Sequence, residues 1–253
     1  MMQAPLLAAR SLTKSFDGFV ANREVSLDLN KGELVSIIGP NGAGKSTLFN
    51  MLSGCLSPDS GSLMFKGIDL IGVPTHRFVR CGIAKSFQIT SVFPALSVLE
   101  NVCAAVQAVD RPFDIWTRRS CLRQHVEKAT GILANVGLLD KRHARADSIS
   151  HGEQRSLEIA IALASDPELL LLDEPTAGMS PEETRSVISL VERIRSSRTI
   201  ALVEHKMKLI MEISDRIIVL HQGEVLAVGT PATIQMDENV KRVYLGTGRG
   251  GRQ

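Results

Sequence analysis

The chain has 253 residues, of which 44% are apolar and 22% charged, and its formal net charge is +2. That suffices for one sizeable core, or one core with a sub-domain, and leaves no basic excess to mark a nucleic-acid partner. The longest wholly apolar runs are a few residues and the start, Met1-Met2-Gln3-Ala4-Pro5, has neither a charged nor a long apolar region, so neither a membrane span nor a secretory signal is expected.

Residues 6 to 30 read as antiparallel strands: Val25-Ser26-Leu27-Asp28-Leu29 alternates strictly, and Asp17-Gly18 is a turn signal. Phe16, just before that turn, is either an aromatic for stacking on a nucleobase or a core residue, and periodicity alone favours core. Leu34-Val35-Ser36-Ile37-Ile38 is a buried-strand run that feeds Gly39-Pro40-Asn41-Gly42-Ala43-Gly44-Lys45-Ser46-Thr47 and then the helical Leu48-Phe49-Asn50-Met51-Leu52. Gly39 to Ser46 match the phosphate-cradling spacing G-x-x-x-x-G-K-[ST]. Glycines let successive N–H groups converge on phosphate oxygens, and the following helix N-terminus adds its own unpaired donors. Lys45 brings a full charge, and the Ser46 hydroxyl suits Mg²⁺. Strand, loop and helix in this order mark a nucleoside triphosphate site.

Pro58-Asp59-Ser60-Gly61 reads as a turn, Ser62-Leu63-Met64-Phe65 as a short strand, and Gly82-Ile83-Ala84-Lys85-Ser86-Phe87-Gln88 as a further strand ending on a polar side chain. Gln88 there is either a group that reaches Mg²⁺ or water, or a plain exposed residue. Val98, Leu99, Val102, Ala105 and Val106 recur at helical spacing, with Ser97 and Glu100 placed as a capping box. Arg111-Pro112-Phe113-Asp114 interrupts, and a second helical stretch runs from about Cys121 to Val136. Residues 89–149 are therefore expected to be a mostly helical insertion in an α/β domain, with Arg118, Arg119 and Arg123 on a solvated face.

Ser150 and Glu153 form another capping box, opening a helix through Ala164. Gly152 in its first turn leaves backbone donors expected to be uncovered, a second anion site. Leu169-Leu170-Leu171-Leu172-Asp173-Glu174-Pro175 suits a strand buried on both faces of a parallel sheet, with two carboxylates at the end where such sheets bind ligands. A buried carboxylate needs a cation. Asp173 holding Mg²⁺ meets that need, and Glu174 beside it suits activation of water. Ser180-Pro181-Glu182-Glu183 starts a helix, Thr199 to His205 is another buried strand, and Ile217 to Leu226 a hairpin. The tail from Gly246 to Gln253 is too glycine-rich to be packed. Cys55, Cys81, Cys103 and Cys121 are scattered without a C-x-x-C pair, so reduced structural thiols are expected. No internal repeat is visible.

In this order the stretches resemble the ATP-binding subunits of ABC transporters over essentially the whole chain. The resemblance implies a P-loop NTPase (RecA-like) α/β core with an antiparallel β subdomain and an inserted helical subdomain: residues 1–88 and 150–245 the core, 89–149 the helical part, 246–253 a flexible tail. It implies that Phe16 stacks on adenine, that Gly39 to Thr47 is Walker A, and that Gln88 is the Q-loop glutamine. Ser150-His151-Gly152-Glu153-Gln154 then matches the signature, Asp173 and Glu174 Walker B and the catalytic base, Ala177-Gly178-Met179-Ser180 the D-loop, and His205 the switch histidine. Ile149, His151, Glu153 and Lys206 depart mildly from the common pattern. ATP and Mg²⁺ are the implied ligands, with Ser46, Gln88 and Asp173 around the metal. The implied partners are a second ABC ATPase, identical or not, facing the signature in trans, separate transmembrane permease chains, and indirectly a solute-binding protein. The implied location is the cytoplasmic face of the inner membrane. Gly178-Met179-Ser180-Pro181-Glu182-Glu183-Thr184, Val203-Glu204-His205-Lys206-Met207 and Val240-Lys241-Arg242-Val243-Tyr244-Leu245-Gly246 are similar to the branched-chain amino acid importers. Envelope export of the lipopolysaccharide type and a non-transport ABC ATPase are the alternatives.

Overall fold

The computed structural model describes residues 4–86, 92–110 and 119–246. Gln88, Arg111 to Asp114, Arg118 and the tail after Gly246 lie outside them. Ten strands and nine α-helices are present among the described residues, in two sheets. Strands β1 (Leu7–Phe16), β2 (Phe19–Leu29), β4 (Ser60–Phe65) and β5 (Ile68–Asp69) pair antiparallel in the order β2-β1-β4-β5. The larger sheet runs β10-β9-β3-β8-β7-β6, from β3 (Leu34–Ile38), β6 (Ile83–Ser86), β7 (Leu169–Asp173), β8 (Thr199–Val203), β9 (Arg216–His221) and β10 (Glu224–Gly229). All its pairings are parallel except the β9–β10 hairpin.

Why four leucines follow one another in β7 is visible in the packing. Side chains alternate across a strand, so a sheet covered on both faces needs apolar residues at every position. Leu170 and Leu172 point into one core with Leu34, Ile38, Ile200 and Leu202, whereas Leu169 and Leu171 point into another with Val35, Ile37, Ala201 and Val203. The first core is closed by α3 (Val98–Asp110), α4 (Arg119–Val136), α5 (His151–Leu163) and α6 (Pro181–Arg195). The second is closed by α1 (Lys45–Leu52) and the antiparallel sheet.

Helices α3 and α4 follow the expected spacing. Val98, Val102 and Val106 are fully buried and share the first core with Ala129, Leu133 and Val136, a stripe repeating every four residues. The Ser97 hydroxyl accepts from Glu100 N at 3.2 Å, and the Glu100 carboxylate accepts from Ser97 N at 2.7 Å. Arg123 is exposed, as expected of a solvated face. Helices α5 and α6 both begin in complete capping boxes, Ser150 with Glu153 and Ser180 with Glu183, the second with Pro at the first helical position.

Three local readings change. Ser60 and Gly61 belong to strand β4, not to the turn before it. Residues Thr75–Cys81 form a helix, α2, that periodicity does not reveal. It is two turns long and only Phe78 is buried, so no amphipathic repeat can build up. The strand from Thr199 ends at Val203, which places Glu204 and His205 in the loop beyond it. Three short helices, α7 (Met207–Ile213), α8 (Pro231–Met236) and α9 (Glu238–Gly246), complete the chain.

The two-sided burial of β7 makes a stability prediction. Leu171→Ala, at a site with no exposure, is expected to cost about 2–5 kcal/mol in denaturant unfolding. Val228→Ala, on the exposed side of β10, is expected to stay within about 0.5 kcal/mol of the parent.

Candidate functional site

Parallel order brings the C-terminal ends of β3, β7 and β8 side by side, because β3 pairs with β8 and β8 with β7 in register. The loop after β3 is the glycine stretch. Two of its glycines are required by close packing: a methyl on Gly39 would collide with the Leu220 carbonyl, and one on Gly44 with the Ala21 carbonyl and, at 2.6 Å, with Asn22 Nδ2. Gly44 is also the N-cap residue of α1, at φ 92°, a left-handed conformation that disfavours other residues. The loop is braced from behind, where Ala43 O accepts from Gly223 N at 3.2 Å.

Lys45 and Ser46 open α1. The Lys45 ammonium is buried and donates to the carbonyls of Gly39 at 2.8 Å and Pro40 at 2.9 Å. Burial pulls its pKa below the usual lysine value, and the carboxylates of Glu174 and Asp173 oppose that shift. Asp173, four strands later in the chain but only two places along the sheet from β3, ends β7 with 2% exposure. Its Oδ2 lies 3.3 Å from Lys85 Nζ, and its Oδ1 is buried without a partner. Burial pushes the Asp173 pKa up, and the Lys85 charge is the main opposing influence.

Glu174 follows in the left-handed region at φ 46°, a strained conformation for a non-glycine residue, costing on the order of 1–3 kcal/mol. The surroundings hold it there. Glu174 N donates to Val203 O at 2.9 Å, and the Arg155 guanidinium donates to the carbonyls of Asp173 (2.6 Å), Glu174 (3.0 Å) and Pro175 (3.3 Å). Arg155 is itself paired with Glu158 at 2.5 Å. The Glu174 carboxylate lies 2.7 Å from His205 Nε2. Beneath them Glu204, 3% exposed, accepts from Thr176 N, Thr176 Oγ1 and His205 N at 2.8, 2.7 and 3.1 Å. Lys206 donates to Thr176 O and Thr184 Oγ1.

The sequence-predicted residues Lys45, Asp173, Glu174 and His205 thus converge on one sheet edge. Gln88 lies outside the described residues. Phe16 corrects the core reading that periodicity favoured: it is 45% exposed, at the mouth of the β1–β2 turn with Phe19, also exposed, opposite it. Ser150, His151, Gly152, Glu153 and Gln154 start α5, and His151 and Gln154 line a pocket with Glu174 and Met179. The expected free donors there are partly filled: Gly152 N donates to Glu183 Oε1 at 3.0 Å and Glu153 N to Ser150 Oγ at 3.3 Å. The start of α6 lies against the start of α5, so its carboxylate reaches the nearest unpaired amide. Lys85, Arg155 and Glu204 were not singled out from the sequence as site residues. Their only signal was position: one precedes Gln88, one follows the signature stretch, one precedes His205.

A parallel sheet ending in a glycine loop with a buried lysine and, beside it, in an Asp–Glu pair defines the P-loop class of nucleotide-binding proteins. Comparisons with known proteins narrow that class. The family model described as ABC transporter matches residues 22–177, and one described as branched-chain amino acid ATP-binding cassette transporter matches residues 224–249. The chain is 40% identical to the high-affinity branched-chain amino acid transport ATP-binding protein LivG of Salmonella typhimurium, over 97% of this chain and 99% of that protein. It is 36% identical to the lipopolysaccharide export system ATP-binding protein LptB of Escherichia coli K12, over 95% and 97% of the two chains. A crystal structure of the ADP conformation of an ATP-binding cassette of an ABC transporter superposes with a TM-score of 0.85, at 27% identity and covering 96% of this chain and all of that one. The chain belongs to the ABC transporter family and is an ATP-binding subunit of it.

Two predictions follow from the geometry. Lys45→Ala removes the one buried ammonium of the glycine loop and is expected to weaken ATP binding roughly ten- to hundredfold in a fluorescent-nucleotide titration. Arg155→Met frees the carbonyls that hold Glu174, and is expected to lower kcat on the order of tenfold with nucleotide affinity little changed. A parallel fall in affinity would point to general damage instead.

Proposed function

We propose that the chain binds and hydrolyses ATP to energise import of branched-chain amino acids, or a similar small polar solute, through separate membrane permease chains. The observation that carries this reading is the 40% identity to LivG over nearly the whole of both chains. The family match at residues 224–249 supports it. In this reading residues 1–88 and 150–245 form the catalytic core with its antiparallel subdomain and 89–149 the helical subdomain. The protein sits peripherally on the cytoplasmic face of the inner membrane. No helix among the described residues is long and apolar enough to cross a membrane, and in this reading the permease is a separate chain. The working unit pairs this subunit with a second ABC ATPase, identical or sister, and receives solute through a solute-binding protein.

ATP lies with its phosphates on Gly39 to Thr47 and its adenine on Phe16. The residues present fit Mg²⁺. Asp173 Oδ1 is a buried carboxylate oxygen with no partner, and Ser46 stands on the first turn of α1. Ser46, Gln88 and Asp173 would hold the ion, and it would neutralise charge on the phosphates. Glu174 takes the proton of a water whose oxygen attacks the γ-phosphorus; the bond to the bridging oxygen breaks and ADP leaves with that oxygen. His205, 2.7 Å from Glu174, positions the carboxylate and the γ-phosphate. Ser150 to Gln154 reach the nucleotide of the partner subunit, and closure of the pair completes each site.

The 36% identity to LptB supports the second reading, an ATPase of envelope export. One experiment separates them. Tagged Glu174→Gln protein is expected to bind ATP, to hydrolyse it at under about a hundredth of the parent rate, and to accumulate as a nucleotide-trapped pair. Recovered with ATP from detergent-solubilised native membranes, it is expected to bring two permease-like chains and a similar ATPase. Envelope-export subunits in their place would overturn the importer reading and leave the ATPase chemistry intact. Normal turnover by the variant would remove Glu174 as the base.

A further inference from the structure

Lys85 has no role in the chemistry described above, yet it is among the most enclosed cations in the protein. It sits on β6, whose parallel pairing with β7 sets Lys85 beside Leu171 and Ser86 beside Leu172, one residue short of Asp173. Its side chain is 10% exposed and that of Asp173 3%. The Lys85 ammonium has two partners of different kinds. It lies 3.3 Å from Asp173 Oδ2, within ion-pair distance, and it donates to Asn50 Oδ1 at the shorter 2.7 Å. The Phe49 ring centroid is 5.8 Å away. Asn50 and Phe49 both belong to α1, the helix that the glycine loop opens. Lys85 therefore has a second anchor on α1, through Asn50, that does not depend on Asp173.

Asp173 has no such alternative. Its Oδ1 is buried and unpartnered, and Lys85 is the one ammonium within ion-pair distance of its Oδ2 among the described residues. A carboxylate so buried stays charged only beside a cation.

We propose that Lys85 is the resident counter-cation of Asp173. It holds the carboxylate while no divalent cation is bound, then yields it and keeps Asn50 when the cation arrives with nucleotide. The inference rests on the reading of Asp173 as a metal ligand. Lys85 is a positioning residue on this view, and it sets an exchange: it stabilises the metal-free site and competes with the metal for the same oxygen. Removing its charge must then move two observables in opposite directions, which a residue that merely packs against Phe49 does not do.

The test is Lys85→Met in the full-length chain, read by thermal unfolding and by Mg²⁺ titration of ADP binding. Without metal, in excess chelator, the variant is expected to unfold roughly 5 °C or more below the parent, because a buried carboxylate has lost its partner. Saturating Mg²⁺ and ADP are expected to close most of that gap. The Mg²⁺ concentration for half-maximal ADP binding is expected to fall roughly tenfold, because a nearby positive charge no longer opposes the cation. Lys85→Arg, which keeps the charge, is expected to stay near the parent in both readings. Lys85→Gln serves as the second neutral variant and is expected to behave as the Met variant does. An equal loss of stability with and without Mg²⁺, or a half-saturating Mg²⁺ concentration that is unchanged or higher, overturns the proposal. Asp173→Asn in the same titration separates the two layers. If it abolishes the Mg²⁺ dependence while Lys85→Met leaves it unmoved, the exchange alone falls. If it leaves the dependence intact, the metal-ligand reading of Asp173 falls and takes the exchange with it.

Discussion

Charge buried at the ends of apolar strands is the constraint around which this structure is arranged. Strands β3, β7 and β8 are fully buried, so any ionised group at their tips starts with most of its hydration removed. The chain puts Lys45, Asp173, Glu174 and Glu204 there, and each has a defined arrangement. Lys45 rests on two carbonyls of its own loop, Glu204 is wrapped by three donors, and Glu174 faces His205. Asp173 is compensated least, with one oxygen unpartnered and the other paired with Lys85 at 3.3 Å. An incompletely compensated carboxylate beside a glycine loop is costly for the resting fold, and in the proposed reading it gives an incoming cation differential binding energy.

The second feature is how the edge is kept in shape. Glu174 sits at positive φ, and such a conformation persists only where neighbours over-determine it. Here three successive carbonyls, of Asp173, Glu174 and Pro175, are gripped by one guanidinium from α5. On the far side Glu204 ties Thr176 to His205. The loop after β7 is thereby fixed to the loop after β8 and to the helix that starts at Ser150. A planar cation with several donors is suited to this, and a lysine at position 155 would reach fewer of the three carbonyls.

Much of this was legible in the sequence, for reasons that particular residues make plain. Leu169 to Leu172 announced a strand covered on both faces because each leucine faces one of two cores. Gly39 to Ser46 announced a loop feeding a helix because the spacing itself encodes one, and Ser150 with Glu153 announced a helix start because the box is local. What was not legible depends on tertiary geometry. Lys85, Arg155 and Glu204 look like ordinary polar residues until β6 pairs with β7 and α5 crosses behind β7. Phe16 was misread by periodicity because strand β1 ends in the turn that exposes it. Helix α2 was missed because a two-turn helix with one buried residue, Phe78, carries no period.

The uncovered donors expected at the start of α5 show the same limit from the other side. Local chemistry correctly placed Gly152 in a first turn with amides to spare, but α6 begins against it, and Glu183 serves both helices. One of its oxygens accepts from Ser180 N in its own capping box, the other from Gly152 N. A methyl on Gly152 would press on the Glu183 side chain at 3.1 Å, so the absence of a side chain there is what lets the two helix starts meet. The Ser180 amide first, and then that of Gly152, lower the Glu183 pKa from its ordinary value. The Ser150 end of α5 and the Ser180 end of α6 are consequently one charge-linked surface. In the proposed pair of ATPases the Ser150 end is the one that reaches the partner's nucleotide. An anion approaching the start of α5 would meet a Gly152 amide already satisfied by Glu183 and a Glu153 amide satisfied by Ser150, so it must either use the remaining donors or displace a carboxylate.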